Sequence, residues 1–264
     1  MTAGTGSQTY AALAAPPRLG DAVHVWHGRL PMGLRGVPAS RLALLSAQER
    51  ARYALAKDPA AGARYAAVRL AVRELLHTYL GVDPARIRFA PSPCCRCGSH
   101  RHGRPRIIWP STTLQINVSH SGPYWLMALA AGRPVGVDVE CHRAIEVSRL
   151  APACLTSPER AYVADAEEPG RTAAFLRCWT RKEAVLKGCG VGLAADLAAL
   201  DVRPHSSPVA HVIQNTCGCA SDWLVQDLNC GADRTAALAQ PAGSAGQAVV
   251  RLFSLTPDAS GPAG

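Results

Sequence analysis

Apolar residues recur along this chain in two rhythms, and the changes between them mark its elements. Val68, Val72, Leu75 and Tyr79 return every three or four positions, the spacing of one helix face. Asp58-Pro59 ahead of them offers an N-cap and a first-turn proline, and Gly81 offers a stop, which predicts a long helix between. Leu45 to Ala56 reads as a shorter helix, with Ser46 as N-cap and Glu49 three residues on. Thr172 to Leu186 is the clearest helical stretch of the second half, and Ser157-Pro158 begins another. Strand-like runs are Val23 to Trp26, Ile87 to Phe89, Leu114 to Ser119, Tyr124 to Ala130 and Val135 to Glu140. Shorter β-like runs follow at Leu200 to Arg203, His211 to Gln214, Trp223 to Leu228, Thr235 to Leu238 and Val249 to Leu255.

Helices and strands therefore stand on both sides of Gly132-Arg133-Pro134, an α+β pattern. The expected division is an N-terminal half over 21–132 and a C-terminal half over 133–256. Residues 1–20 are expected to be disordered and 257–264 frayed. No internal repeat is evident in the residues themselves. A hydrophobic share of 48% over 264 residues is enough for a real core.

Charges or prolines interrupt every apolar run before about 18 residues, so no membrane helix is expected. No basic start with an apolar block follows the first methionine, which makes the cytoplasm the default compartment. Ten cysteines suit that compartment as free thiols, and Cys154, Cys178 and Cys189 read as small core hydrophobes. The formal charge of +9 favours an acidic partner. With no long Lys/Arg run and only 5% aromatics, nucleic acid is not the expected one.

Gly136-Val-Asp-Val-Glu140 is the first segment with chemistry in it. Side chains i and i+2 share a strand face, so Asp138 and Glu140 project together and Val135, Val137 and Val139 go to the other side. Such a pair repels itself unless a cation lies between, although a solvated strand face would also carry it. The helix ending at Leu186 shifts the balance. Phe175, Trp179, Glu183 and Leu186 fall on one stripe, and an unpaired carboxylate among apolar residues is costly. Lys187, four residues on, is in reach of Glu183, and Lys182 sits at the edge of the stripe. Glu183 facing Asp138 and Glu140 would complete an oxygen-rich Mg²⁺ site, which suits a phosphate substrate. A third segment, Asn117-Val-Ser-His-Ser-Gly122, ends a strand in small polar residues around His120, where an anion contact is reasonable.

Together these segments resemble the 4′-phosphopantetheinyl transferases. Gly136-Val-Asp-Val-Glu140 is similar to the family's first signature, and Trp179-Thr-Arg-Lys-Glu-Ala-Val-Leu-Lys187, with Gly188 and Gly190 behind it, to the second. Asn117 to Ser121 resembles the segment that precedes the first signature in the larger, surfactin-type members. The resemblance implies two pseudo-symmetric α/β halves with the active site between them, so that a monomer suffices. It implies coenzyme A as co-substrate, Mg²⁺ as cofactor, and apo acyl or peptidyl carrier proteins as partners. Asp138, Glu140 and Glu183 would bind the metal, and Lys187 would neutralise the pyrophosphate and the leaving group. Glu183, or a water held by the acidic cluster, would take the proton from the carrier serine. Arg64, Arg104 and His120 match the family's phosphate-binding positions, whereas Arg50 and Arg52 are weaker candidates.

Cys94-Cys95-Arg96-Cys97-Gly98-Ser99-His100-Arg101-His102 is a departure from shorter members. Its thiols and imidazoles could ligate zinc, but structural zinc sites use two separated pairs, and a thiol-rich loop that positions Gly103-Arg104-Pro105 is the alternative. Two other functions use parts of the same pattern. A non-catalytic module of this fold would be expected to lack an acidic ligand or Lys187, and none is missing. A Mg²⁺-dependent pyrophosphate hydrolase would leave the Trp/Lys/Glu/Lys helix unexplained.

Overall fold

In the computed structural model, the described residues are 8–9, 18–94, 97–100, 103–191, 195–215, 221–243 and 247–255. The disorder expected for 1–20 and the fraying of 257–264 lie almost wholly outside them, and so do Cys95 and His102 of the thiol-rich loop.

The first sheet has five strands: β1 (Gln8–Thr9), β2 (Val23–Arg29), β5 (Leu114–Ser121), β6 (Tyr124–Ala131) and β11 (Val250–Leu255), in the order β1-β11-β2-β6-β5. The second holds β7 (Gly136–Cys141), β8 (Val209–Gln214), β9 (Ser221–Asp227) and β10 (Arg234–Pro241), all antiparallel, in the order β7-β10-β9-β8. A separate hairpin pairs β3 (Arg88–Pro91) with β4 (Pro105–Trp109). Strand β11 comes from the end of the chain, yet it runs parallel to β2, with Leu252 opposite Val25.

Among the described residues six helices complete this α+β architecture: α1 (Ala39–Leu42), α2 (Ala47–Ala54), α3 (Pro59–Leu80), α4 (Val147–Cys154), α5 (Ser157–Ala164) and α6 (Gly170–Cys189). The expected caps are present. Ser46 and Glu49 close a capping box on α2, and the Asp58 carboxylate accepts from the N–H groups of Ala60 and Ala61 at the start of α3. Thr156 and Glu159 close a second box on α5.

Three apolar layers hold these parts. Val68, Val72, Leu75 and Leu76 of α3 pack on Trp26, Ile116 and Met127 of the first sheet. The opposite face of that sheet, with Val25, Leu126 and Ala128, packs on Val137, Val139 and Leu238 of the second. Phe175, Ala184 and Leu186 of α6 cover the remaining face, against Val225, Ala237 and Ala239. The order is thus α3, first sheet, second sheet, α6. Helix α6 lies very close to β7, because a Cβ at Gly136 would stand 1.9 Å from the Ala184 carbonyl oxygen. One at Gly188 would stand 2.6 Å from the Trp223 ring. These two glycines let the helix touch the strand that carries the carboxylates.

One expected strand is absent. Leu200 to Arg203 follows a 3-10 turn (Leu197–Ala199) and pairs with no strand. Its carbonyls are used otherwise: Lys182 takes that of Leu200, and Arg181 takes those of Val202 and Arg203. Two buried cations have thus replaced a β-ladder as the partner of this backbone.

Candidate active site

The site is built where β5 meets β7. Val137, Val139 and Cys141 present their N–H groups on the edge of β7 that faces away from β10. Buried edge donors need partners, and β5 supplies them from side chains. Asn117 Oδ1 accepts from Val137 at 3.1 Å, Ser119 Oγ from Val139 at 3.4 Å and Ser121 Oγ from Cys141 at 3.2 Å. The period of two on each strand keeps this ladder in step. It also leaves the intervening carboxylates, Asp138 and Glu140, on the α6 side of β7, as their parity predicts.

Each carboxylate is then held by its own serine. Ser119 Oγ donates to Asp138 Oδ1 at 2.7 Å, and Ser121 Oγ donates to Glu140 Oε2 at 2.6 Å. Lys187 Nζ reaches across from α6 to Asp138 Oδ1 at 2.6 Å and to Ser119 Oγ at 2.9 Å. Sequence spacing paired Lys187 with Glu183. The structure corrects this: the ammonium goes to the more deeply buried Asp138, which needs a counter-charge more. Lys182, at the edge of the same stripe, pairs elsewhere. It turns away from the carboxylates and is wholly buried against Glu159 at 2.7 Å.

Glu183 lies buried beside this group, and its Oε1 has no hydrogen-bond partner. Among the described residues Asp138 Oδ2 is the other buried carboxylate oxygen without one. Burial raises the Glu183 pKa to about 7, with the charges of Asp138 and Glu140 adding to it and Lys187 opposing. Burial also raises Asp138, against the pull of Lys187 and Ser119. Two carboxyls held above their usual range, each with an orphaned buried oxygen, are in need of a cation. Among the described residues no group of three or more His, Cys, Asp or Glu side chains is arranged to hold a metal ion. An open set still suits Mg²⁺, which takes one or two carboxylates and completes its shell with water and substrate phosphate.

The basic residues approach from the first sheet and its helices. His120, the residue between the two serines, reaches solvent, and its pKa is lowered by desolvation first and then by Lys187, Arg52 and Arg64. These three cations and His120 thus share one electrostatic neighbourhood, beside Glu140. Arg64 is partly exposed and 3.5 Å from Asp58, its own helix's cap. Arg52, ranked low from sequence, stacks on Tyr65 at 4.5 Å and belongs with Arg64. Arg50 turns back to the Leu45 carbonyl. Arg104 lies against the end of α6, where a Cβ at Gly190 would be 3.0 Å from its Cγ, one turn beyond Lys187. Ser119 and Ser121 are the residues that sequence reasoning did not single out for the carboxylates. Their alternation with His120, matched to the alternation on β7, was the available signal.

A mixed α+β frame thus brings Asp138, Glu183 and Lys187 to one strand–helix contact, with His120, Arg52, Arg64 and Glu140 in the same electrostatic neighbourhood. Comparison with known proteins gives the class. Residues 134–241 match the model of the 4′-phosphopantetheinyl transferase superfamily. The 4′-phosphopantetheinyl transferase HetI of Nostoc sp. is 31% identical over 192 residues, which cover 69% of this chain and 76% of that one. The protein slr0495 of Synechocystis sp. is 31% identical over 157 residues, 59% of this chain and 61% of that one. The 4′-phosphopantetheinyl transferase AcpT of Escherichia coli O157:H7 is 36% identical over 106 residues, 40% of this chain and 53% of that one. The chain belongs to the 4′-phosphopantetheinyl transferase superfamily and is an enzyme of that class.

Proposed function

We propose that this enzyme moves the 4′-phosphopantetheine arm of coenzyme A onto a serine of an apo acyl or peptidyl carrier protein and releases 3′,5′-ADP. The observation that carries this reading is the pair of orphaned buried oxygens, Asp138 Oδ2 and Glu183 Oε1, next to Lys187 and the Arg52/Arg64/His120 group. Asp138, Glu140 and Glu183 would hold Mg²⁺, which when bound neutralises the pyrophosphate and polarises the phosphorus under attack. Lys187 meets the charge that develops on the leaving phosphate. Glu183, raised towards neutrality by burial, can take the proton from the carrier serine, directly or through a water. Arg64, Arg104 and His120 grip the phosphates of the donor, with Arg52 beside them.

The larger, surfactin-type architecture belongs to this proposal. It consists of two pseudo-symmetric halves in one chain, 21–132 and 133–256, with β11 of the second half completing the sheet of the first, and acts as a monomer in the cytoplasm. The matching capping boxes on α2 and α5 support it. No helix among the described residues is long and apolar enough to cross a membrane. The charge of +9 favours an acidic carrier, and polyketide or nonribosomal-peptide synthesis is the proposed setting.

The test is one incubation with coenzyme A, Mg²⁺ and an apo carrier protein, read by intact mass. The carrier should gain one phosphopantetheine, and EDTA should stop the gain. Full transfer without a divalent ion would remove the metal from the reading. No transfer to any carrier would remove the reaction itself.

A further inference from the structure

The hydrogen bonds of Ser119 can be assigned without choice. Lys187 Nζ and the Val139 N–H are donors only, at 2.9 Å and 3.4 Å, so both must use oxygen lone pairs of Ser119. The hydroxyl has one proton, and Asp138 Oδ1, at 2.7 Å, is the acceptor left for it. One lone-pair set, one proton and three partners leave this side chain no second arrangement. Its exposure is 5% and that of Asp138 is 3%, so water does not compete. Asp138 Oδ1 is thereby taken twice, by Ser119 and by Lys187, while Oδ2 is left free and buried.

We propose that Ser119 is a positioning residue that locks the rotation of the Asp138 carboxylate and the reach of Lys187 together, so that Oδ2 alone is offered to the metal. This rests on the metal reading given above. Ser121 does less of the same for Glu140, because its Oγ binds no cation. Asn117 is the internal control. It completes the same ladder through Val137 but touches no carboxylate.

The experiment measures Mn²⁺ binding by the electron paramagnetic resonance of the free ion, with coenzyme A present and no carrier, so that nothing turns over. Ser119→Ala should weaken Mn²⁺ binding by roughly ten- to a hundredfold, the usual cost of losing a group that orients a metal ligand. Asn117→Ala should lower the melting temperature but leave Mn²⁺ binding at the wild-type value. If folded Ser119→Ala binds Mn²⁺ like wild type, or if Asn117→Ala weakens it equally, the serine is only part of the ladder and the proposal is overturned. Should the alanine variant not fold, Ser119→Cys keeps the shape with a much weaker donor and carries the same comparison. If wild type itself binds no Mn²⁺, the metal reading fails and this inference falls with it, a result distinct from a defect confined to Ser119→Ala.

Discussion

Helices α3 and α6 each lie on the outer face of a sheet, and each is anchored by the capping box of the helix before it. In the first unit Glu49 of the Ser46 box takes Arg73 of α3 at 2.7 Å, and Arg73 goes on to the carbonyls of Pro84 and Ile87 around a 3-10 turn. In the second, Glu159 of the Thr156 box takes Lys182 of α6 at 2.7 Å, and Lys182 goes on to the carbonyls of Leu197 and Leu200 around another. The brackets are alike in layout, although Glu49 also holds Arg69 and Glu159 also holds the Val202 N–H, and the helix–sheet contacts beneath them differ further. Under α3 the polar groups are an uncharged trio, where the Tyr79 hydroxyl meets His24 Nδ1 at 2.7 Å and Trp26 Nε1 at 2.9 Å and His24 Nε2 is left without a partner. Under α6 stand Asp138, Lys187 and Glu183, with two oxygens left over. The two helix–sheet contacts thus differ in a few side chains: an uncharged trio under α3, and an ammonium with two carboxyls under α6.

The largest effect expected on this comparison concerns the brackets. Lys182→Met strands a fully buried Glu159 and should cost about 3–5 kcal/mol in urea denaturation. Arg73→Met should cost clearly less, because Arg69 stays on Glu49 at 2.6 Å. Equal losses would mean that the second cation contributes nothing to the first bracket.

Next comes the chemistry. Glu183→Ala and Asp138→Ala should each lower turnover by about a hundredfold or more, close to 3 kcal/mol, with the melting temperature nearly kept. Near-normal turnover of folded Glu183→Ala would remove the distinction drawn between the two helices.

A pH effect of similar or smaller size belongs to the first unit. Burial, with Arg251 adding, lowers His24 to about 4. A buried base with a depressed pKa gives its full stability above the unfolded value near 6.5 and loses it as pH falls towards 4. That is a loss of up to roughly 3 kcal/mol. His24→Gln should flatten stability against pH in this window, measured by urea titration at pH 7, 6 and 5. An unchanged slope would assign the acid sensitivity to other groups.

The smallest effects concern the donor. Arg64→Ala, Arg104→Ala and His120→Ala should each raise the KM for coenzyme A by about tenfold, near 1.4 kcal/mol, more than they lower kcat. They should also discriminate less between coenzyme A and its 3′-dephospho form. An unchanged ratio of kcat/KM for the two donors in all three variants would detach these residues from the 3′-phosphate.

Much of this was legible along the chain because the signals are local. The Ser46 and Asp58 caps, the parity of Asp138 and Glu140 and the apolar stripe through Glu183 all depend on neighbours within one turn or one pleat. What sequence could not show were choices made between distant groups. Lys187 lies equally within reach of Glu183 by spacing, and only the closeness of β7 to α6 decides for Asp138. Leu200 to Arg203 has the apolar content of a strand, but two cations from α6 claim its carbonyls. The matched brackets escaped notice because Arg73 and Lys182 do the same work with different side chains, and a comparison of letters does not see that.

Strand β11 has a consequence for how the protein is made. Its place beside β2 joins residue 23 to residue 250 and residue 28 to residue 255. During synthesis β2, α3, β5 and β6 leave the ribosome long before this neighbour exists, so one edge of β2 stays open until residues 250–255 have emerged. Such distant pairing is slow to close and leaves an adhesive strand edge exposed meanwhile. The first sheet, although most of it lies early in the sequence, therefore closes only after the second sheet has been translated.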